Sequence, residues 1–261
     1  MNYVDLDGLE RVVVSGGYFN NREDKPYQYE FIDSALREVM RYGGTLFIAD
    51  VGLTQADKDQ IALLRAISMT CVNGMGVEFN VVYFSDIDEL TELINNGHDG
   101  NREYNPITHL TLFSHGYANT IAFGHGHAAE YQERLTWCVT DLENLDPAAF
   151  DNTRSTFFSC NTGTFSDTLF DGSTQSFRRR RDGVETSFAQ EWSNLTGGRT
   201  TAAEGFTYYG YINTGPRLLS RLLRAWLSDS SSRPGPAVNR PIIAPGDGNQ
   251  WRTFTPDYEG E

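Results

Sequence analysis

Short apolar runs and amphipathic stretches alternate along most of this chain. Gly44 to Asp50 (GTLFIAD) is almost continuously apolar and predicts a buried strand. Gln55 to Thr70 repeats its apolar positions at helical spacing, and Thr54 with Asp57 three residues later forms a weak capping box for that helix. Val77 to Phe84 (VEFNVVYF) predicts the next strand, with Ser85 capping a helix from Asp86 to about Asn95. Thr108 to Phe113 (THLTLF) predicts a strand that ends at Ser114-His115-Gly116. A hairpin is expected from Thr120 to Trp137, turning at Gly124-His125-Gly126.

The second half continues the rhythm. Asp141 to Phe150 reads as helical, and Ser155 to Ser159 as a strand leading into Cys160. Glu185 to Leu195 predicts an amphipathic helix stopped by Gly197-Gly198, Thr200 to Tyr211 a strand, and Arg217 to Leu227 a helix. Strands separated by helices call for parallel pairing, so the expected fold class is α/β, with three α/β/α layers around a mostly parallel sheet spanning 44–227. Residues 1–43 hold a strand (Arg11 to Val14) and a helix (Tyr29 to Tyr42), expected as an N-terminal extension forming an extra edge layer. Asp167 to Asp182 is polar and predicts an exposed loop, whereas 228–261, rich in Ser, Pro and Gly, predicts an extended or disordered tail.

Composition narrows the function. With 261 residues, 39% hydrophobic, the chain can bury a substantial core. A net charge of −14 opposes nucleic-acid binding, since phosphates would be repelled. No run approaches the length of a membrane span, and MNYVDLDGLERVVV lacks the pattern of a signal peptide. A cytoplasmic location, or secretion by a route independent of a signal peptide, is the expectation. Three widely spaced cysteines suggest neither a metal site nor a disulfide framework, and no cofactor is implied.

The chemistry concentrates where two strands end alike, in LTLF-Ser114-His115-Gly116 and TFF-Ser159-Cys160-Asn161. In an open parallel sheet the carboxyl ends of the strands share one rim, so adjacency of these two would set imidazole beside thiol. That pair makes a nucleophile and its acid/base partner. Gly116, lacking a Cβ, lets its N–H approach a substrate carbonyl and form an oxyanion hole with the N–H of Cys160. The G-x-S-x-G elbow of a serine hydrolase is missing around Cys160.

A strand ending in His-Gly, followed by one ending in a small residue and Cys, resembles the caspase-like cysteine peptidases. That group includes caspases, metacaspases, gingipains, clostripain, toxin cysteine-protease domains and prokaryotic CHAT domains. The resemblance runs from about Gly44 to Tyr211 and includes a hairpin at Ile121-Ala122-Phe123-Gly124. It implies a caspase-like fold, His115 as acid/base, Cys160 as nucleophile, and the amides of Gly116 and Cys160 as oxyanion hole. It further implies a protein or peptide substrate, an activator or regulatory partner, and a role as bacterial effector or immune protease. Asn161-Thr162-Gly163 replaces the Arg-Gly of animal caspases, which argues against animal-type aspartate specificity, although cleavage after aspartate, at Asp182-Gly183, is the nearest rival to a basic P1 preference. A catalytically inactive binding module of the same fold is the alternative.

Other residues carry weaker expectations. Glu204 stands on the strand expected beside the substrate groove, where a carboxylate suits a basic P1 side chain. Arg178, Arg179, Arg180, Arg181 and Asp182 mark a loop suited to self-cleavage between 171 and 184. His125 and His127 read as hairpin-turn residues bordering the cleft rather than metal ligands, because no acidic or further His ligand accompanies them. Cys71, Cys138 and His109 fall in apolar patterns and read as packing.

Overall fold

Val12-Val13-Val14 is apolar on both faces of a strand, and such a strand needs cover above and below. In the computed structural model, which describes residues 10–17, 30–69, 77–125, 127–164, 186–209 and 240–257, these valines lie in the interior of the central sheet, fully buried. They belong to β1 (Glu10–Ser15), after which come α1 (Glu30–Tyr42), β2 (Gly44–Ala49), α2 (Gln55–Met69), β3 (Phe79–Phe84), α3 (Ile87–Asn96) and β4 (Ile107–Phe113). A small antiparallel unit follows: β5 (His115–Tyr117), β6 (Thr120–Ala122), α4 (Ala129–Arg134) and β7 (Thr136–Cys138). Two 3-10 turns, Val139–Asn144 and Pro147–Ala149, lead into β8 (Phe150–Phe157). The remainder is α5 (Phe188–Thr196), β9 (Thr200–Glu204), β10 (Thr207–Tyr208), β11 (Ile242–Ile243) and β12 (Gln250–Phe254).

The seven-stranded sheet runs β12-β9-β8-β4-β1-β2-β3, parallel throughout except for β12 against β9. Alternation along β1 and β2 sorts the core into two halves. Val13, Leu46 and Ile48 meet α1 and α2, while Val12, Val14 and Phe47 share a cluster with Ile87 and Leu90 of α3 and Trp192 of α5. Helices therefore cover both faces of the sheet, as the helical and strand periods predict. Under β8, the Trp192 indole N–H donates to Ser155 Oγ at 2.7 Å, which satisfies a polar pair inside an apolar layer.

Three expectations need correction. The N-terminal strand is not an edge layer: β1 pairs with both β2 and β4, so residues 10–15 fill the middle of the sheet. The tail is partly built into the fold, since β12 closes the β9 edge, and Arg240 reaches the fully buried Glu38 carboxylate of α1 at 2.9 Å. The strand expected from Thr200 to Tyr211 breaks at Gly205 (φ +85°), and β10 leaves the main sheet to pair with β11. One cap also shifts by a residue, with Asp86 rather than Ser85 accepting from the Glu89 N–H. The helix expected at Arg217 to Leu227 and the loop at Asp167 to Asp182 lie outside the described residues. Among the described residues, no helix is long and apolar enough to cross a membrane.

From β1 the chain builds outward through β2 and β3, then returns to place β4 on the other side of β1. A strand order that reverses in this way opens a crevice at the carboxyl ends of the two central strands. Gly16-Gly17 follow β1 at that point and His115 follows β4.

Candidate active site

The ends of β4 and β8 are joined closely. The two strands pair in parallel through Leu112 opposite Phe157, and the Phe158 N–H extends the ladder to Leu112 O at 2.8 Å. One residue beyond, the buried Ser114 and Ser159 hydroxyls hydrogen-bond at 3.0 Å. Gly116 lies against the same junction. A Cβ there would collide with the Cys160 carbonyl and sit 2.8 Å from Ser159 Cβ, so only glycine permits this approach. Two segments separated by forty-five positions thus meet through a hydroxyl pair and a bare backbone.

Gly116 is also aimed. Tyr117 and Thr120 bracket the two-residue turn Ala118-Asn119, in which Asn119 takes φ +63°, and residues flanking such a turn are mutually hydrogen-bonded. The next pair, Gly116 with Ile121, is therefore of the non-hydrogen-bonded kind, and the Gly116 N–H points away from β6.

Cys160 sits in a turn rather than at a helix N-terminus. Asn161 adopts a left-handed conformation (φ +57°), its N–H donates to Gly205 O at 2.6 Å, and Gly163 N–H donates to Ala203 O at 3.0 Å. These bonds fasten the turn to the end of β9. The half-buried thiol receives the Thr207 N–H at 3.3 Å, with Thr207 Oγ1 at 3.4 Å. A backbone N–H directed at sulfur complements negative charge developing there.

His115 is set among rings. Phe31 of α1 meets it edge-on at 4.8 Å between centroids, and the His125 ring stands 4.4 Å away. Gly17 (φ +132°) leaves room on this side, because a Cβ would lie 2.9 Å from Phe31 and 3.1 Å from His115 Cδ2. Burial, and then the neighbouring His125, hold the His115 imidazole well below its ordinary titration range. It is therefore neutral near pH 7 and able to accept a proton. Tyr117 Oη hydrogen-bonds His125 Nδ1 at 2.9 Å. Burial, with the charge of Cys160 second, pushes the Tyr117 hydroxyl up to about 12. Tyr209 is raised further by burial, then by Cys160 and Glu30, and its hydroxyl donates to Phe158 O.

The sequence-derived residues fare differently. The backbones following His115 and preceding Cys160 are brought into contact on one rim, and Gly116 joins them. Glu204 is engaged within the chain: its carboxylate holds Arg252 at 2.7 Å and accepts from Gln250 across the β9–β12 ladder. Its charge is thereby spoken for on the side where a basic substrate residue was expected. His125 borders the site, as its turn position suggested, whereas His127 packs on Tyr131. His109 lies half-buried in β4, lowered by burial and by the nearby Arg11 and Arg154. Cys138 donates its backbone N–H to Asp141 at 2.8 Å in a capping turn. Cys71, Arg178, Arg179, Arg180, Arg181 and Asp182 lie outside the described residues.

Phe31, Tyr117, Tyr209 and Thr207 were missed. The Gly16-Gly17 pair after a valine strand could have pointed to a second rim segment, but nothing local in Thr207 marks it as a thiol partner. No protein-family model, curated protein or solved structure matches this chain, so the functional reading rests on the geometry of the rim.

Proposed function

We propose that this chain is a cysteine endopeptidase of caspase-like type and fold, with Cys160 as nucleophile and His115 as acid/base. One observation carries the reading: adjacent parallel strands end at His115 and Cys160, and the junction is closed by the Ser114–Ser159 bond and the fit of Gly116 against Cys160. Neutral His115 accepts the Sγ proton as sulfur attacks the scissile carbonyl carbon. The N–H groups of Gly116 and Cys160 hold the resulting oxyanion, which suits the orientation of Gly116 away from β6. His115 then donates its proton to the leaving amine, and the C–N bond breaks to give a thioester. Finally His115 takes a proton from water, the hydroxide displaces sulfur, and the acid product leaves with Cys160 restored as thiol.

The substrate is a protein or peptide. Since Arg252 neutralises Glu204, a basic P1 preference needs a different carboxylate. Self-processing between Asp171 and Val184 belongs to the same proposal and supplies its readout. Wild-type protein incubated alone should yield fragments with new termini in that segment, detected by mass spectrometry, and should be labelled at Cys160 by a thiol-reactive peptide electrophile. Cys160→Ala should yield neither while retaining its fold by circular dichroism. Continued cutting by that variant would overturn the nucleophile. Absence of labelling in folded wild-type protein would instead favour a binding module.

A further inference from the structure

Two rings from distant elements pack against His115. Phe31 on α1 presents its edge at 4.8 Å, and His125, between β6 and α4, stands at 4.4 Å on a tilted plane. His125 is itself anchored, because Tyr117 Oη meets its Nδ1 at 2.9 Å. The Tyr117 hydroxyl and His125 Nδ1 share this hydrogen bond, with the donor set by the His125 tautomer. Tyr117 is two residues beyond His115 on β5, and β5 is paired to β6, which leads into His125. The same short hairpin therefore carries the imidazole, its neighbour and that neighbour's anchor. His125 also lines a small cleft with Tyr117, Thr120, Ala122, Gln132 and Thr136.

We propose that His125 is a positioning residue for His115: anchored by the Tyr117 hydroxyl, its ring forms with Phe31 a slot that fixes the plane of the His115 imidazole. The inference rests on the assignment of His115 as acid/base partner of Cys160. The titrations of two imidazoles at this separation are coupled, since a charge on either disfavours a charge on the other. Tyr117, bonded to His125, is the ionisable neighbour of the pair; Cys160 acts on Tyr117, and Cys160 and Glu30 act on Tyr209, which packs on Phe31. Burial disfavours the charged form of both rings, and the charge of His125 adds to that effect at His115.

The test uses iodoacetamide alkylation of Cys160 across pH, read at the Cys160 peptide, together with the NMR titration of the His115 ring. Thermal midpoints and circular dichroism establish that each variant folds. His115→Ala should change the rate and pH profile of alkylation. His125→Asn, which keeps a hydrogen-bonding amide for Tyr117 but removes the wall, should lower the rate near neutral pH by about 10²-fold, the loss expected when a reacting group is misplaced by an ångström. His125→Phe restores the wall and should recover part of that loss. Tyr117→Phe, a milder change, should cost about tenfold, a partial form of the same misplacement. In both His125 variants the His115 titration should move upward, because the neighbouring charge is gone. Wild-type rates and an unmoved His115 titration in His125→Asn and Tyr117→Phe, with His115→Ala impaired, would overturn the positioning role alone. An unchanged profile in His115→Ala would remove the base assignment, and the positioning role with it.

Discussion

The ends of β4 and β8 look alike in sequence and are built in opposite ways. Beyond β4 the chain enters a second sheet, β5 to β7, and the imidazole is held between rings with its protonation suppressed by burial. Beyond β8 the chain turns through a left-handed Asn161, and the thiol stays half-buried and meets Thr207 of β10. An acid/base group benefits from a fixed plane and a shifted proton affinity, whereas a nucleophile must remain open to a substrate. The contrast teaches that matching strand ends define a shared rim, and that each side chain's surroundings decide its task.

The largest break in that contrast should come from Gly116→Ala. Its Cβ collides with the Cys160 carbonyl and crowds Ser159, so the two ends must separate and the proposed oxyanion donor moves. Self-processing should fall about 10²- to 10³-fold, the loss expected for one oxyanion donor, measured as the rate of fragment appearance. A variant that processes at wild-type rate would show that Gly116 lies outside the reaction.

A pH experiment probes the β4 side. The native His115 titrates below its unfolded value of 6.5, so between the two values the unfolded chain binds the additional proton. Its contribution to stability is complete above pH 6.5 and is lost as pH falls below that value. Urea unfolding from pH 7.5 to 5 should show a decline whose slope is reduced in His115→Gln. An equal slope in both proteins would place the destabilising protonation elsewhere.

The smallest effect should come from the link between the two ends. Ser159→Ala leaves the buried Ser114 hydroxyl with its bond to the His115 carbonyl but without its cross-strand partner. A loss of about 1 kcal/mol in unfolding free energy is expected for one such bond. Processing should change less than in Gly116→Ala, since the backbone approach is retained.

The elements were mostly legible in the sequence because their causes are local. The Thr54–Asp57 capping box is present, with Asp57 N–H on Thr54 Oγ1 at 3.2 Å and Thr54 N–H on Asp57 Oδ2 at 2.9 Å. Gly197 ends α5 in a left-handed conformation, as the Gly-Gly stop suggested. The misreadings share a different cause. Val12-Val13-Val14 reads as a strand anywhere, yet its place between β2 and β4 depends on a chain that leaves and returns across the sheet. Gln250-Trp251-Arg252-Thr253-Phe254 lies in a tail whose Ser, Pro and Gly content masks it, and it becomes β12 because the β9 edge offers a ladder. Glu204 looked available for a substrate until that added strand brought Arg252 to it.

By itself the sequence determined the periods, the caps to within a residue, and the fact that two apolar strands stop at Ser-His-Gly and Ser-Cys-Asn, because each depends on neighbours a few positions away. Only the tertiary structure decided that these strands are adjacent, that Phe31 and His125 enclose one group, and that Thr207 meets the other. Those facts depend on residues tens of positions apart, and burial and electrostatics are set by whatever the folded chain brings within a few ångströms.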